Sequence, residues 1–444
     1  MRKHILWTAL AACAAFLASN SISAQGPADA KAARERLAHA KAAAYYELVT
    51  DGATIGRSTP DMARALKDIG ADLIFRGFMQ GPTVLETPDN IPPELLERPG
   101  GKPLDPKETA KFYQENGYSY QSLKDAIAAI KKESPDVIFC GGIPAQWLNA
   151  FERDPVTGRI LRPEETWPMA LDPQKWGVQS EGKPLTKEDF AKFFAVRHGW
   201  ARQDAPYDWR SVPAFFPDPT NENYRKIVVG WATRQIDCGA DAIWVDLLFT
   251  ASAYLAQLTK DPSHQAVKAT YEAAVKIVDE IHNYGASKGR YILVGTWAFP
   301  VVRYPYPMPD LDFVTMTPTA DEMAQKKLDE PKWVRNIAIT RNRLKDVPIL
   351  VFIDCFGDQG VMAKFSQVLS KEEQREMLKT LDAFCAARGL LFAYPVHGGG
   401  MGDHAKVLSF GKSKRYDSLA PEFDTYETIK ALALSKKADS GKKR

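Results

Sequence analysis

Cysteine is scarce in this chain. Its 444 residues include five, and the spacings of Cys140, Cys238, Cys355 and Cys385 match no zinc pattern. Neither a disulfide framework nor a structural metal is needed, because 45% of the residues are hydrophobic and can bury a large core. The four cysteines are expected mostly as small buried apolar residues. An excess of charge is also missing. Lys and Arg number 58 against 55 Asp and Glu, and the only basic run is the tail "KKADSGKKR" (436–444), which reads as a frayed, disordered end. That balance argues against nucleic acid as a main partner. Past the N-terminus there is no apolar stretch long enough to span a bilayer. A glycine-rich phosphate loop is absent too. The first apolar run is followed by "TDGATIGRST", where Gly52 and Gly56 do not make G-x-G-x-x-G.

The N-terminus is a separate case. "MRKH" is basic, "ILWTALAACAAFLA" is a short apolar run and "SNSISA" ends in small residues. This is the layout of a secretory signal peptide over residues 1–24, so a secreted or periplasmic protein is expected. "LAAC" also fits lipid attachment at Cys13, but the apolar run continues beyond that cysteine, which favours ordinary cleavage. Residues 25–43, polar and Ala-rich, read as a linker or loose helix. The domain is expected over 44–435.

Within the domain, short apolar runs without clean alternation recur: "AYYELV" (44–49), "DLIFRGF" (72–78), "DVIFCGG" (136–142), "DAIWVDL" (241–247), "YILVGTW" (291–297), "DFVTMT" (312–317), "ILVFIDCF" (349–356) and "LLFAYPV" (390–396). Such runs are strands covered on both faces. Helical patterns separate most of them. In "STPDMARALKDIGA", Ser58 or Thr59 serves as N-cap, Pro60 opens the first turn and Gly70 stops the helix. Eight alternating units predict an α/β fold, a closed (β/α)8 TIM barrel, with a doubly wound open sheet as competitor. A long insertion between the third and fourth strands is expected as a rim or lid. Prolines in "PVVRYPYPMPDL" leave no regular helix between the fifth and sixth.

In such barrels the chemistry lies at the C-terminal ends of strands and in the loops that follow. The candidates there are Glu47, Asp51, Arg76, Gln146, Trp147, Asp246, Thr296, Trp297, Asp321, Glu322, Asp354, Asp358, His397, Asp403 and His404. Tyr304 and Tyr306 belong to surrounding loops, as do Trp167, Trp176, Trp200 and Trp209. Paired carboxylates suit glycosidic bonds, one at the anomeric carbon and one protonating the leaving oxygen, and flat aromatic faces suit pyranose rings. Catalysis is expected from Asp246, Asp354, Asp321 and Glu322. Substrate contacts are expected from Glu47, Arg76, Gln146, Trp147, Trp297, Tyr304, His397, Asp403 and His404. The partner is then a carbohydrate, with no cofactor and no metal required.

The stretch "FPDPTNENYRKIVVGWATRQIDCGADAIWVDLLF" (216–249) resembles a recurring segment of (β/α)8 glycoside hydrolases, in the α-amylase and α-galactosidase-like clans. There a Pro/Asp/Asn turn opens a helix, and a short strand then delivers an Asp. The resemblance implies a nucleophile or oxocarbenium stabiliser at Asp246. It departs from the α-amylase pattern at the fifth strand, where "GTWAF" carries no carboxylate. The α-galactosidase-like pattern implies an acid after the sixth strand, at Asp321 or Glu322, with Asp354 as third carboxylate or alternative acid.

Structural readings stand beside these. Asp246 could pair with Arg76, Thr319 and Glu322 form a capping-box pattern, and Trp297 reads equally as a sugar platform or as barrel packing. Two rival functions stay open: a non-catalytic carbohydrate-binding barrel, and a metal- or phosphate-dependent enzyme built on "HGGGMGDH" (397–404).

Overall fold

A computed structural model describes residues 27–97, 103–355 and 357–441. The signal-like segment and Cys13 lie outside them. Eight parallel strands, β1 (Ala43–Tyr46), β2 (Leu73–Phe75), β3 (Ile138–Pro144), β4 (Ala242–Asp246), β5 (Leu293–Trp297), β6 (Phe313–Met316), β7 (Ile349–Phe352) and β8 (Leu391–Gly400), pair in sequence order. The sheet closes because β8 also pairs with β1, Ala393 opposite Ala43. The protein is a (β/α)8 barrel.

The strands form where the apolar runs place them, for the expected reason. Each is covered on both faces, so alternation is absent, and β1, β2, β3, β6 and β7 are buried along their whole length. Tyr45, Phe75, Trp244, Trp297 and Phe352 pack ring to ring across the upper barrel interior, at centroid spacings of 4.9–6.2 Å. The helix signals hold as well. The hydroxyl of Ser58 caps α2 (Thr59–Ile69) by accepting from the Asp61 amide, and left-handed Gly70 ends it. Further outer helices are α3 (Tyr120–Glu133), α4 (Glu222–Asp237), α5 (Gln265–Ser287), α6 (Glu330–Leu344) and α7 (Lys371–Ala387).

Several segments differ from expectation. The segment read as a linker or loose helix does hold a helix, α1 (Pro27–Ala38), but one docked on the barrel, where Arg34 donates to Asp312 at 2.6 Å and to Asp310 at 2.7 Å. The presumed frayed tail is helical through α8 (Tyr426–Gly441). Between β5 and β6, by contrast, no regular helix forms, as the prolines require: the short turn Ala298–Val301 is broken at Phe299 (φ −102°, ψ 130°). The eighth strand runs on to Gly400, because β9 (Arg415–Asp417) pairs with it antiparallel.

The insertion between β3 and β4 is built from three two-stranded ribbons and the helix Lys187–Arg197. It is fastened to the barrel. Phe190, Phe194 and Phe216 belong to the main hydrophobic core, while Val212 and Phe215 form a small satellite core of their own.

Candidate active site

The centre of the barrel mouth is a buried arginine. Arg76 follows β2 and lies over the rings of Trp244 (5.2 Å) and Tyr45 (5.6 Å). Its guanidinium reaches Glu47 at 3.2 Å and Asp354 at 3.5 Å, and its Nε–H has no partner among the described residues. Glu47 extends from the end of β1. One of its oxygens accepts from the Tyr45 hydroxyl at 2.7 Å and lies 3.6 Å from the Cys355 thiol. Asp246 ends β4, where the Trp297 indole donates to it at 2.6 Å. Asp354 stands two residues beyond β7, and Thr317 accepts its backbone N–H at 3.2 Å. The loops after β1, β2, β4 and β7 thus converge on one point.

Backbone conformation sharpens this convergence. Leu48, Arg76 and Leu247 have φ values of 58°, 57° and 53°. Left-handed backbone costs a non-glycine residue about 1–2 kcal/mol, and all three sit at the strand ends that carry Glu47, Arg76 and Asp246. Strain of this kind concentrates where a site has to aim side chains. Close approach is also built in at Gly398 of β8. A Cβ there would meet the Glu47 Cβ at 2.4 Å and its N at 2.7 Å, so only glycine lets β8 lie against Glu47.

The carboxyls are tuned apart. Burial pushes Asp246 up to about 6; Arg76 and the Trp297 donor oppose the rise, and the neighbouring charges of Asp354 and Glu47 add to it. Asp354 is also raised, first by burial and further by Glu47, against the pull of Arg76. Glu47 goes the other way: although burial opposes it, Arg76, Arg415 and the Tyr45 hydroxyl hold it below the usual carboxylate range. Desolvation and like-charge neighbours are the forces that hold a proton on a carboxyl near neutral pH.

Behind this centre lies a second ionic network, buried at His397, Asp51 and Asp417 and closed by the partly exposed Arg57 and Arg415. His397 is 0% exposed. Its Nδ1 is 2.6 Å from Asp417, and its Nε2 is 3.0 Å from Asp51. Arg415 donates to Asp51 at 2.6 Å, and Arg57 makes two bonds of 2.9 Å to Asp417. Burial alone would lower the histidine, but the two carboxylates raise it to about 9, so it is a cation donating from both nitrogens. This is a strut beneath β1 and β8, and His397 offers no atom to a substrate.

The remaining sequence candidates separate clearly. Glu322 closes the Thr319 capping box and also accepts from the Asp329 amide at 2.7 Å and the Trp333 indole at 2.9 Å. Both its oxygens are occupied. Asp321 is exposed on the same first turn. Tyr304 is buried against Tyr271 and Tyr306. His404 is 88% exposed at its side chain and bonds to Asp358 at 2.7 Å, while Asp403 is exposed beside it. His397 and His404 therefore engage different carboxylates. Among the described residues no group of three or more His, Cys, Asp and Glu is placed to hold a metal ion. Trp147 and Gln146 are half-buried just beyond β3, where the Ala145 amide donates to the Asp246 carbonyl at 2.9 Å. Thr296 is buried and donates to the Val245 carbonyl at 2.6 Å. A cleft of about 210 Å³ opens beside Trp297, lined also by Phe299, Met316, Thr317 and Asn336.

Sequence reading singled out neither Tyr45 nor Cys355 for the centre, and it missed Arg57, Arg415 and Asp417 behind it. Tyr45 carried a readable signal, two residues before Glu47 on the same strand face. Arg415 and Asp417 lie on a short strand after β8 that has no periodicity to reveal it.

No family model matches the chain, and no curated protein matches it. Solved structures do. The glycoside hydrolase domain of PelA from Pseudomonas aeruginosa is 10% identical, with 61% of this chain and 83% of that one covered at a TM-score of 0.33. A debranching enzyme from Nostoc punctiforme is 12% identical, with 86% and 70% covered at a TM-score of 0.44. An alpha-amylase from Geobacillus thermoleovorans is 11% identical, with 90% and 79% covered at a TM-score of 0.42.

Proposed function

We propose that this protein hydrolyses a glycosidic bond in a poly- or oligosaccharide, with Asp246 and Asp354 as its carboxyl pair. The observation that carries this reading is the placement of both at the barrel mouth around Arg76, with Asp246 held protonated to about pH 6. Two raised carboxyls in one site share a proton over a window of pH. Arg76 pairs directly with Asp354 at 3.5 Å, whereas the hydrogen bond to Asp246 comes from the neutral Trp297 indole and Arg76 acts on it only through its field. Asp354 is accordingly the ionised member, and Asp246 gives its proton to the leaving oxygen. Asp354 then faces the developing positive charge on the sugar ring, and water adds to the anomeric carbon, giving its proton to the Asp246 carboxylate and restoring the starting state. This reverses the role expected for Asp246 from sequence, and the engaged oxygens of Glu322 remove it as the acid. Glu47 stays ionised and keeps Arg76 in place. Trp297 and the cleft beside it receive the sugar ring. The signal-like N-terminus supports a secreted or periplasmic setting for this activity, on a carbohydrate met there.

The test is reducing-sugar release from a broad polysaccharide panel by the mature protein, Asp246→Asn and Asp354→Asn. Wild type is expected to release sugar with an alkaline limb near pH 6, and each variant to lose ~100-fold or more, the usual worth of an acid–base group. Sugar binding without release from any substrate would replace the reading with a non-catalytic binding barrel. Full activity in both variants would remove this carboxyl pair.

A further inference from the structure

A second cavity lies outside the barrel wall, and none of its lining residues belongs to the mouth. Its volume is about 210 Å³, and Gln80, Tyr120, Glu152, Arg153, Trp231 and Arg234 contribute to its lining. One water needs only ~15 Å³, so the space is far larger than a single solvent site.

The interior of this cavity is polar and incompletely paired. Glu152 is 0% exposed, Gln80 1% and Trp231 3%. The Gln80 carbonyl oxygen and the Trp231 indole N–H have no partner among the described residues. The indole lies near enough to the Glu152 carboxyl to pull its pKa down, yet outside hydrogen-bonding geometry. Buried polar groups are nearly always paired, and among the described residues the Gln80 oxygen and the Trp231 N–H are left without that pairing. The one carboxyl of the interior is about half ionised at neutral pH. Burial holds Glu152 up at about 7, while at the mouth Arg153 and Arg234 are both paired with Glu86.

We propose that this cavity is a second ligand site, for a small neutral polyhydroxyl molecule of monosaccharide size. A hydroxyl can accept from the Trp231 N–H and donate to the Glu152 carboxyl at once. A second hydroxyl can donate to the Gln80 oxygen. A hydrogen-bonded link also runs from the site toward the loop after β3. Asn149 donates to Glu152 at 2.7 Å and accepts from the Trp147 indole at 2.9 Å, so one amide spans from the cavity to the rim.

The experiment is a calorimetric titration of the mature protein carrying Asp246→Asn and Trp297→Ala, which disables the catalytic mouth. The probes are glucose, galactose, N-acetylglucosamine, glycerol and, as an anionic contrast, glucuronate. Saturable binding of a neutral probe is expected, weakened roughly three- to tenfold by adding Trp231→Phe, the usual worth of one neutral hydrogen bond. Gln80→Met is the second variant should Trp231→Phe fail to fold, and it is expected to weaken binding similarly. No saturable binding by any neutral probe, selective binding of glucuronate, or affinity unchanged in both variants would overturn the proposal. So would a crystal soaked in the best probe that holds only ordered water in the cavity. Because binding is read in a catalytically disabled protein, failure to hydrolyse polysaccharide leaves this result unaffected.

Discussion

At the scale of single residues, the decisive contrast is between carboxyls with free oxygens and carboxyls whose oxygens are spent. Asp246 belongs to the first kind. Its folded pKa of about 6 lies above the ordinary value of 3.8. The folded state therefore holds its proton more tightly, and this group's contribution to stability falls as pH rises from about 4 to about 6. Asp246→Asn is expected to stabilise the fold by roughly 1–2 kcal/mol at pH 7 and by nothing near pH 3.5, measured by urea denaturation at the two pH values. A structural Asp246 would give the opposite sign. Glu322 belongs to the second kind, with its cap, the Asp329 amide and the Trp333 indole all leaning on it. Glu322→Ala should cost about 1–3 kcal/mol through unsatisfied buried donors, while turnover per folded molecule stays at the wild-type level in the sugar-release assay.

At the scale of elements, β1 and β8 act as one unit. The Glu47 amide donates to the His397 carbonyl at 2.9 Å, and the His397 imidazolium lies between Asp51 and Asp417 beneath them. Its pKa is raised to about 9 from an ordinary 6.5. That stability is fully present below about pH 6.5 and disappears as pH rises through about 9. The melting temperature is expected to fall between pH 7 and 9.5, and His397→Gln should remove this slope. It should also cost about 3–5 kcal/mol, because two buried carboxylates lose their cation. Gly398 tests the same unit differently. Gly398→Ala places a methyl against Glu47, so sugar release should drop by an order of magnitude or more if Arg76 depends on Glu47 for its position.

At the scale of the whole molecule, the insertion is integral to the barrel. Its phenylalanines enter the main core, and the Asn149 amide bonds the Gly81 carbonyl at 3.1 Å across from the loop after β2. One cooperative urea transition, coincident by tryptophan fluorescence and far-UV circular dichroism, is the expected result. Two separated transitions would mean that the insertion folds on its own. No helix among the described residues is long and apolar enough to cross a membrane.

The sequence alone determined the barrel. Eight apolar runs, their capped helices and the absence of alternation encode strands buried on both faces, and local patterning is enough for that. It also brought Glu47, Arg76, Asp246, Trp297 and Asp354 to the strand ends, because strand direction fixes which end carries chemistry. Only the tertiary structure decided what each does. Whether Glu322 is an acid or a cap depends on Trp333 and Asp329 closing around it. Whether His397 meets substrate or holds two strands together depends on Asp51, far away in sequence, and on Asp417 of a strand without a pattern. Protonation state follows the same rule: Asp246 and Glu47 are both carboxylates at strand ends, and burial with the nearness of Arg76 sets them on opposite sides of their ordinary values. Those are sums over neighbours from distant parts of the chain, and no local pattern contains them.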